Sequence, residues 1–376
     1  MKFTFDREMM LSSFQPAAAV APSRSPKPIL QSVKLICTEG ESVLMATDTE
    51  VGVRIGVDGI NVEAPGSIVL PVDLFGQILR ECTDESLTVE MKETEISVDG
   101  DTSSYKIPSQ NPDEFPDVSS VDNDSYLELP ARLMSELIKR TFFATDSESS
   151  RYALGGLLLE LEGNELIAVG TDGRRLAKMQ GPVEINGSVE LGTSSTIVPT
   201  RSMTLISRAI VNPEATVKIM VSDNQIVFVS DKITLTSRLV EGRYPKWKDV
   251  FPSTTETKSI VIGSGDMLSK LKQAAIVANE DSRGINFTFA DGTLTMDAQA
   301  AERGQSHTEM PIAYEGEKIS VTMDHRYVSD FLKALDATSQ FSIFIENAQA
   351  AVLFTTEDGY SYIIMPLSTD RYERTE

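Results

Sequence analysis

The sequence predicts an α+β fold of three tandem repeats, each with two helices packed on antiparallel sheets. Chain length, a recurring order of strands and helices, and alternating apolar and polar runs all point to it. A chain of 376 residues corresponds to two or three domains of about 150 residues. Self-similarity at a fixed period identifies a repeat architecture. We expect domains at residues 1–121, 126–252 and 258–376, joined by polar, turn-rich linkers.

Each repeat opens with a strand that leads into a helix, and a second strand-to-helix unit follows. Proline suits the first turn of a helix, and Pro71 and Pro199 occupy that position in the first two repeats. The opening strands are predicted at 3–5, 127–129 and 260–262, with helices at 6–21, 130–145 and 266–278. The second strands are predicted at 68–70, 197–199 and 319–321, with helices at 71–82, 200–210 and 324–336.

The remainder of each repeat alternates between apolar and polar residues. Residues 86–91, 216–221 and 341–345 show this period of two, which is typical of strands with one solvated face. Asp-Gly pairs at 99–100, 172–173, 291–292 and 358–359 predict tight turns. Two amphipathic helices per repeat can cover one face of such sheets, so the helices are expected on one side.

The net charge of −22, from 34 basic and 56 acidic residues, opposes nucleic-acid binding over most of the surface. The six predicted helices nevertheless carry a slightly positive charge, so the acidity lies on strands, loops and linkers. A helical face lined with cations favours DNA threaded along that face, whereas an ordinary mixed-charge surface explains the composition equally well. The helical cations are Arg132, Lys139, Arg140, Arg201, Arg208, Lys270, Lys272 and Lys333.

Few residues could support catalysis or metal binding. The two cysteines, Cys37 and Cys82, have no CxxC spacing, and the two histidines, His307 and His325, lie in different segments. No cofactor and no metal site is expected. No apolar run approaches the roughly 18 residues of a membrane span, so a cytoplasmic protein that does not contact a membrane is expected. An enzyme or a non-DNA scaffold on a repeated α+β fold stays open as an alternative.

Four segments resemble the bacterial DNA polymerase III beta subunit, the DNA sliding clamp. They are TDGRRLA at 171–177, RYALGG at 151–156, LVEGRYP at 239–245 and IIMPL at 363–367. The residues of this segment alone favour a simple hairpin in which Asp172-Gly173 form the turn. The resemblance implies three DNA-clamp domains that close into a ring as a head-to-tail homodimer around double-stranded DNA. It implies a processivity factor without catalytic residues of its own.

In that family, separate segments form a hydrophobic pocket for short motifs of the polymerase alpha subunit, the clamp loader and other clamp-motif proteins. The resemblance places the pocket at Leu154, Thr171, Gly173, Arg174, Arg175, Leu176, Pro245, Val250, Ile363, Ile364, Met365, Pro366 and Leu367. It implies DNA contacts at Arg24, Arg151, Tyr152 and Arg201, and a dimer seam at Tyr105, Ile276 and Val277. The simpler alternatives are lone surface residues for the DNA contacts, an edge strand at 363–367 and helix core at 276–277.

The sequence departs from the family pattern at three positions. Arg174 replaces the usual histidine, Asp249 stands where a basic residue often precedes the pocket valine, and Ala153 replaces a second aromatic residue. Asp249 is expected to change the charge preference for partner peptides, and Ala153 is expected to reduce stacking with single-stranded DNA. The chain also continues past the last pocket segment as a polar tail at 368–376.

Overall fold

The computed structural model describes residues 1–92, 95–118, 124–146, 152–189, 191–192, 195–210, 212–222, 224–252, 259–280 and 283–367. Within these ranges the chain has six α-helices, two in each third, and antiparallel strands. The predicted α+β repeat is therefore confirmed. The polar tail at 368–376 and the side chains of Arg151 and Tyr152 lie outside the described part.

In the first third, Asp6 caps the opening helix, because its side chain accepts a hydrogen bond of 2.8 Å from the Met9 amide. Met10, Phe14, Ala17 and Val20 are buried along one face of that helix. The elements are β1 Lys2–Asp6, α1 Arg7–Val20, β2 Ser32–Cys37, β3 Ser42–Thr47, β4 Val51–Gly56, β5 Ile60–Ala64, β6 Gly66–Pro71, α2 Val72–Glu81, β7 Ser86–Lys92, β8 Glu95–Asp99 and β9 Ser104–Pro108.

In the second third, the first helix is shorter than the predicted 130–145. The Thr141 hydroxyl donates to the Leu137 carbonyl, and a 3-10 turn at Phe142–Ala144 follows. The elements are β10 Tyr126–Pro130, α3 Ala131–Lys139, β11 Gly156–Glu162, β12 Glu165–Thr171, β13 Arg175–Pro182, β14 Glu184–Asn186, β15 Ile197–Pro199, α4 Thr200–Ala209, β16 Thr216–Val221, β17 Gln225–Ser230 and β18 Ile233–Arg238.

In the last third, the predicted Asp-Gly turn at 291–292 joins two strands as a hairpin. Asp291 and Gly292 both have positive φ, 47° and 74°, as a type I′ turn requires. The elements are β19 Ile260–Gly263, α5 Ser264–Ala274, β20 Gly284–Ala290, β21 Thr293–Ala300, β22 Gly304–Pro311, β23 Ile319–Asp324, α6 His325–Ala334, β24 Gln340–Phe344, β25 Val352–Thr355 and β26 Ser361–Ile364.

The strands and helices form two compact units, and neither unit coincides with a third of the sequence. The first unit spans Met1–Ser135, Val183–Leu191 and Arg201–Val240. It contains a sheet ordered β5-β1-β7-β8-β9 and a nine-stranded sheet ordered β14-β10-β16-β17-β18-β4-β3-β2-β6. In the larger sheet β18 pairs with β4, so one hydrogen-bonded sheet contains strands of the first and second thirds. Helix α1 packs on β2 to β4 and on α2.

The second unit comprises Glu136–Pro182, Gly192–Thr200 and the described residues from Glu241 onward. Its eight-stranded sheet is ordered β15-β11-β12-β13-β26-β25-β24-β19, and a four-stranded sheet is ordered β22-β21-β20-β23. Here β13 of the second third pairs with β26 of the last third. Helix α5 packs on β21, β22 and α6, which covers one face of the smaller sheet.

No helix in the described ranges is long and apolar enough to cross a membrane. The same ranges contain no cluster of three or more histidine, cysteine, aspartate or glutamate side chains arranged to hold a metal ion. Cys37 and Cys82 are buried, unpaired thiols, and burial raises the pKa of Cys37.

Candidate functional site

The turn between β12 and β13 is built by two of its own side chains. The Thr171 hydroxyl donates to the Arg175 carbonyl at 2.6 Å and accepts from the Gly173 amide at 3.1 Å. Asp172 Oδ1 accepts from the amides of Arg174 and Arg175 at 2.9 and 3.0 Å. Gly173 has φ 85°, a left-handed conformation that costs glycine nothing. Local chemistry therefore fixes this turn, as the Asp-Gly pair predicted.

Arg175 connects this turn to two other parts of the second unit. Its guanidinium donates to Asp172 Oδ2 at 2.9 Å, to Asp330 Oδ2 on α6 at 2.6 Å and to the Phe143 carbonyl at 2.7 Å. The guanidinium carbon lies 4.4 Å from the centre of the Tyr327 ring. Burial disfavours the charged form, but the hydrogen bond to Asp330 and the charge of Asp172 raise the pKa of Arg175 overall. Arg175 is therefore a buried cross-link.

The C-terminal strand β26 joins the site through the sheet. Ile363 lies opposite Leu176, Ile364 lies opposite Arg175, and the Met365 amide donates to the Arg174 carbonyl at 2.9 Å. Because β26 lies between β13 and β25, the alternative of an edge strand at 363–367 is wrong. The Leu367 amide donates to the Thr322 carbonyl at 2.8 Å, which holds the end of this segment against β23.

The segment that contains Pro245 and Val250 is attached to the same sheet. The buried Tyr244 hydroxyl donates to the Val169 carbonyl of β12 at 3.0 Å, and the Trp247 indole donates to Glu160 of β11 at 3.3 Å. Burial raises the pKa of Tyr244 far above its ordinary value, so its hydroxyl stays protonated and able to donate. These bonds position Pro245 and the 3-10 turn Trp247–Val250.

Apart from Arg175, the predicted pocket residues divide into a group that is buried or half-buried and a group that is exposed. Leu154, Thr171, Leu176, Ile363 and Ile364 are almost completely buried, and Pro366 and Leu367 are half-buried. The second group is exposed to solvent and consists of Gly173, Arg174, Pro245, Val250 and Met365. Large apolar side chains such as Val250 and Met365 are costly to expose, so the segments present an apolar surface suited to burying a partner's side chain.

The sequence reasoning missed Tyr327, which lies on α6 beside the site. Its ring stacks under Arg175, and its hydroxyl is hydrogen-bonded to Arg174. A cavity of about 1060 Å³ extends from these residues past Lys272 and Lys333. The helical pattern of α6 predicted a helix, but the contact of Tyr327 with a turn about 150 residues earlier in the sequence leaves no local signal.

Two of the four predicted DNA contacts have described side chains. Arg24 is exposed in the loop after α1. Arg201 is in the first turn of α4, where Nη2 pairs with Asp48 Oδ2 at 3.0 Å and donates to the Val20 carbonyl at 3.2 Å. Arg151, and the side chain of Tyr152 in the 3-10 turn Tyr152–Gly155, lie outside the described part.

The set of cations expected on the helical face requires one correction. Arg140 is only 12% exposed and pairs with Glu136 at 2.7 Å and with Asp358 at 2.6 Å. Its guanidinium also lies over the Tyr360 ring, 5.4 Å from the ring centre. Arg140 therefore stabilises the second unit and does not belong to a solvated basic face. The exposed members are Arg132, Lys139, Arg201, Arg208, Lys272 and Lys333, and Lys270 is half-buried.

The predicted seam residues lie on an edge strand and in the turn that follows a helix. Tyr105 is half-buried on β9, the last strand of the five-stranded sheet. Ile276 and Val277 form the 3-10 turn that ends α5, and Ile276 is 72% exposed. The alternative that Ile276 belongs to the helix core is therefore wrong, because its side chain is exposed to solvent.

Comparisons with known proteins agree with these observations over the length of the chain. Models of the DNA polymerase III beta subunit match residues 1–119 with the N-terminal domain, 128–246 with the central domain and 248–368 with the C-terminal domain. The chain is 29% identical over 373 residues to the beta sliding clamp of Pseudomonas putida, covering 98% of this chain and 100% of that protein.

Solved structures show the same architecture. The crystal structure of the DNA polymerase III subunit beta from Pseudomonas aeruginosa has a TM-score of 0.88 at 25% identity, covering 98% of this chain and 100% of that chain. The DNA polymerase sliding clamp from Bacillus subtilis has a TM-score of 0.90 at 22% identity, covering 98% of this chain and 99% of that chain. The second similarity is one of fold alone.

Proposed function

Because the chain belongs to the family of bacterial DNA polymerase III beta subunits, the DNA sliding clamps, we propose that it closes head to tail as a homodimeric ring around double-stranded DNA. Its function is that of a sliding clamp, and it is a processivity factor rather than an enzyme. The three domains proposed are residues 1–121, 126–252 and 258–376. DNA replication in bacteria takes place in the cytoplasm, which is the proposed location.

The proposed partners bind at the surface formed by β13, β26 and the Trp247–Val250 turn. The observation that carries this proposal is the exposure of Val250 and Met365 above the buried Leu176 and Ile363. Aliphatic walls of this kind bury a leucine or phenylalanine of a short linear motif, and a small number of such anchors supplies most of the binding energy. The replicative polymerase alpha subunit, the clamp loader and other clamp-motif proteins are the proposed ligands.

A binding experiment tests the pocket. We expect Met365→Ala combined with Leu367→Ala to reduce the affinity for a polymerase-derived motif peptide by at least about tenfold, since each truncation removes apolar area from the contact. Val261→Ala is the matched control, because Val261 is 47% exposed on the far edge strand of the same sheet and Met365 is 46% exposed. Undiminished binding by the double variant would place the pocket elsewhere.

The proposed dimer uses the edge strand β9 with Tyr105 and the exposed turn with Ile276. Two identical head-to-tail contacts close a ring, whereas one repeated contact that does not close forms a filament. Sedimentation of the wild-type protein should give about twice the chain mass of 41.2 kDa. Ile276→Glu buries a charge in the seam and should yield monomers, whereas Val261→Glu should remain dimeric. A monomeric wild-type protein would refute the ring.

DNA binding is proposed to be topological, with weak contacts from Arg24, Arg151, Tyr152 and Arg201. Few phosphates are then contacted at once, so direct affinity should be weak and should fall with added salt. After loading onto a nicked circular DNA, the protein should be retained, and cutting the circle should release it. Tight binding to short linear duplex, with no loss on cutting the circle, would contradict encirclement.

A further inference from the structure

The turn described in the second unit recurs in the first unit with the same hydrogen bonds. The Thr47 hydroxyl donates to the Val51 carbonyl at 2.8 Å and accepts from the Thr49 amide at 2.9 Å. Asp48 Oδ1 accepts from the amides of Glu50 and Val51 at 2.9 and 2.7 Å. Thr49 has φ 81°, close to the 85° of Gly173. Both turns therefore present the second carboxylate oxygen of an aspartate in the same local geometry.

The two turns differ in the arginine that this second oxygen holds. Asp172 Oδ2 binds Arg175, which belongs to its own turn. The equivalent of Arg175 in the first unit is Val51, a buried residue whose side chain has no hydrogen-bond donor. Asp48 Oδ2 instead binds Arg201 Nη2 at 3.0 Å, from the first turn of α4. The aspartate of each turn thus holds an arginine, and in the first unit the arginine comes from a distant helix.

The contact between Asp48 and Arg201 restrains an arginine that stays accessible. The Asp48 side chain is 10% exposed, whereas that of Arg201 is 54% exposed. The Val20 carbonyl near the end of α1 accepts a second bond from the same Nη2 atom. Neither bond uses Nε or Nη1, so the N–H donors on these two nitrogens are not engaged by Asp48 or Val20 and can face a phosphate. A guanidinium fixed in advance loses less side-chain entropy when it binds a phosphate.

We propose that Asp48 is a positioning residue for Arg201 in DNA binding. The proposal rests on the proposed function, in which Arg201 contacts DNA. It adds a role for Asp48, whose carboxylate does not itself contact DNA. A carboxylate close to DNA otherwise repels phosphate, so charge alone predicts that neutralising Asp48 tightens binding. Positioning predicts the opposite sign, which makes the two explanations separable by one substitution.

The experiment measures the affinity of the full chain for a fluorescently labelled primed duplex by anisotropy, across a series of salt concentrations. Asp48→Asn keeps an oxygen for the two turn amides but loses the charged partner of Arg201. We expect it to weaken binding about three- to fivefold, and Arg201→Ala about tenfold, with the salt slope reduced by about 0.9 for one lost phosphate contact. Glu50→Gln removes the same charge from the same turn and should leave binding unchanged or tighter.

A double variant shows whether Asp48 acts through Arg201. Asp48→Asn in an Arg201→Ala background should have no further effect, because the residue it positions is absent. Arg201→Lys keeps the charge but lacks the planar guanidinium, so it should weaken binding about as much as Asp48→Asn does. It therefore tests the same contact if Asp48→Asn folds poorly. The proposal is overturned if Asp48→Asn binds as tightly as Glu50→Gln, or if it weakens binding equally without Arg201. An Arg201→Ala variant with wild-type affinity would instead refute the DNA contact itself.

Discussion

Replacing Arg175 with methionine should destabilise the second unit and weaken peptide binding together. Methionine retains much of the aliphatic volume but removes the guanidinium, whose three acceptors are Asp172, Asp330 and the Phe143 carbonyl. The Arg175 side chain is 11% exposed, and that of Asp330 is 31% exposed. Two carboxylates would therefore lose their cation in a largely desolvated site, and the turn that carries Arg174 would lose its ion pair with Asp330 of α6.

The magnitude follows from how much of this network is buried. Removing one partner of a fully buried ion pair costs about 3–5 kcal/mol, and exposed pairs are worth less than about 1 kcal/mol. The partial exposure of Asp330 sets the expected cost of Arg175→Met near 3 kcal/mol. For a unit of roughly 200 residues this corresponds to a decrease in Tm of about 6–12 °C.

Arg132→Met is the matched control for this prediction. Arg132 also pairs with a carboxylate, Glu214 at 2.8 Å, but the two side chains are 72% and 76% exposed. Its loss should shift Tm by less than about 3 °C. Scanning calorimetry gives the stability, and titration of a motif peptide gives the affinity. Equal Tm values for the two variants would show that Arg175 is not the cross-link inferred from its contacts.

Two further predictions concern a glycine and a histidine. A side chain at Gly170 would clash with the Thr141 backbone carbonyl, so Gly170→Ala should lower Tm clearly. Gly40→Ala is the control and should leave Tm unchanged, because a side chain there meets no atom within 4 Å. Equal Tm values for the two variants would contradict the close approach of Gly170 to Thr141. Hydrogen bonds to Asp297 and Glu309 raise the pKa of His307, so its stabilising contribution is complete below about pH 6.5 and is lost as pH rises through the raised folded value. In an NMR titration, Asp297→Asn should lower the pKa of His307, and an unchanged value would show that this hydrogen bond does not hold the proton.

Local sequence patterns were sufficient for the repeated elements. Helix α6 was predicted at 324–336 from the repeated order of strand and helix, and it lies at His325–Ala334 with Asp324 as its N-cap. The Asp291-Gly292 turn was likewise predicted from two residues. Periodicity, capping and turn chemistry act over a few residues, so they can be read without knowledge of the tertiary fold.

The contacts that assemble the candidate site could not be predicted in this way. Arg175 and its partner Asp330 are 155 residues apart, and no local pattern indicates that β13 and β26 pair. The resemblance to the family supplied the pocket residues, but it did not supply Tyr327 or the burial of Arg140. Whether an arginine faces solvent depends on the partners that the tertiary fold brings to it. A charge count from the sequence cannot distinguish a buried arginine from an exposed one.

The pairing of β18 with β4 and of β13 with β26 also has a consequence for fragments of the chain. A cut in either linker would separate strands that share a ladder, which leaves Val51–Gly56 or Ser361–Ile364 as an unpaired apolar edge. Such edges are templates for aggregation. An excised repeat is therefore expected to be insoluble or to capture another chain. A single sequence repeat is therefore not an autonomous folding unit, because its sheets are completed by strands of the neighbouring repeat.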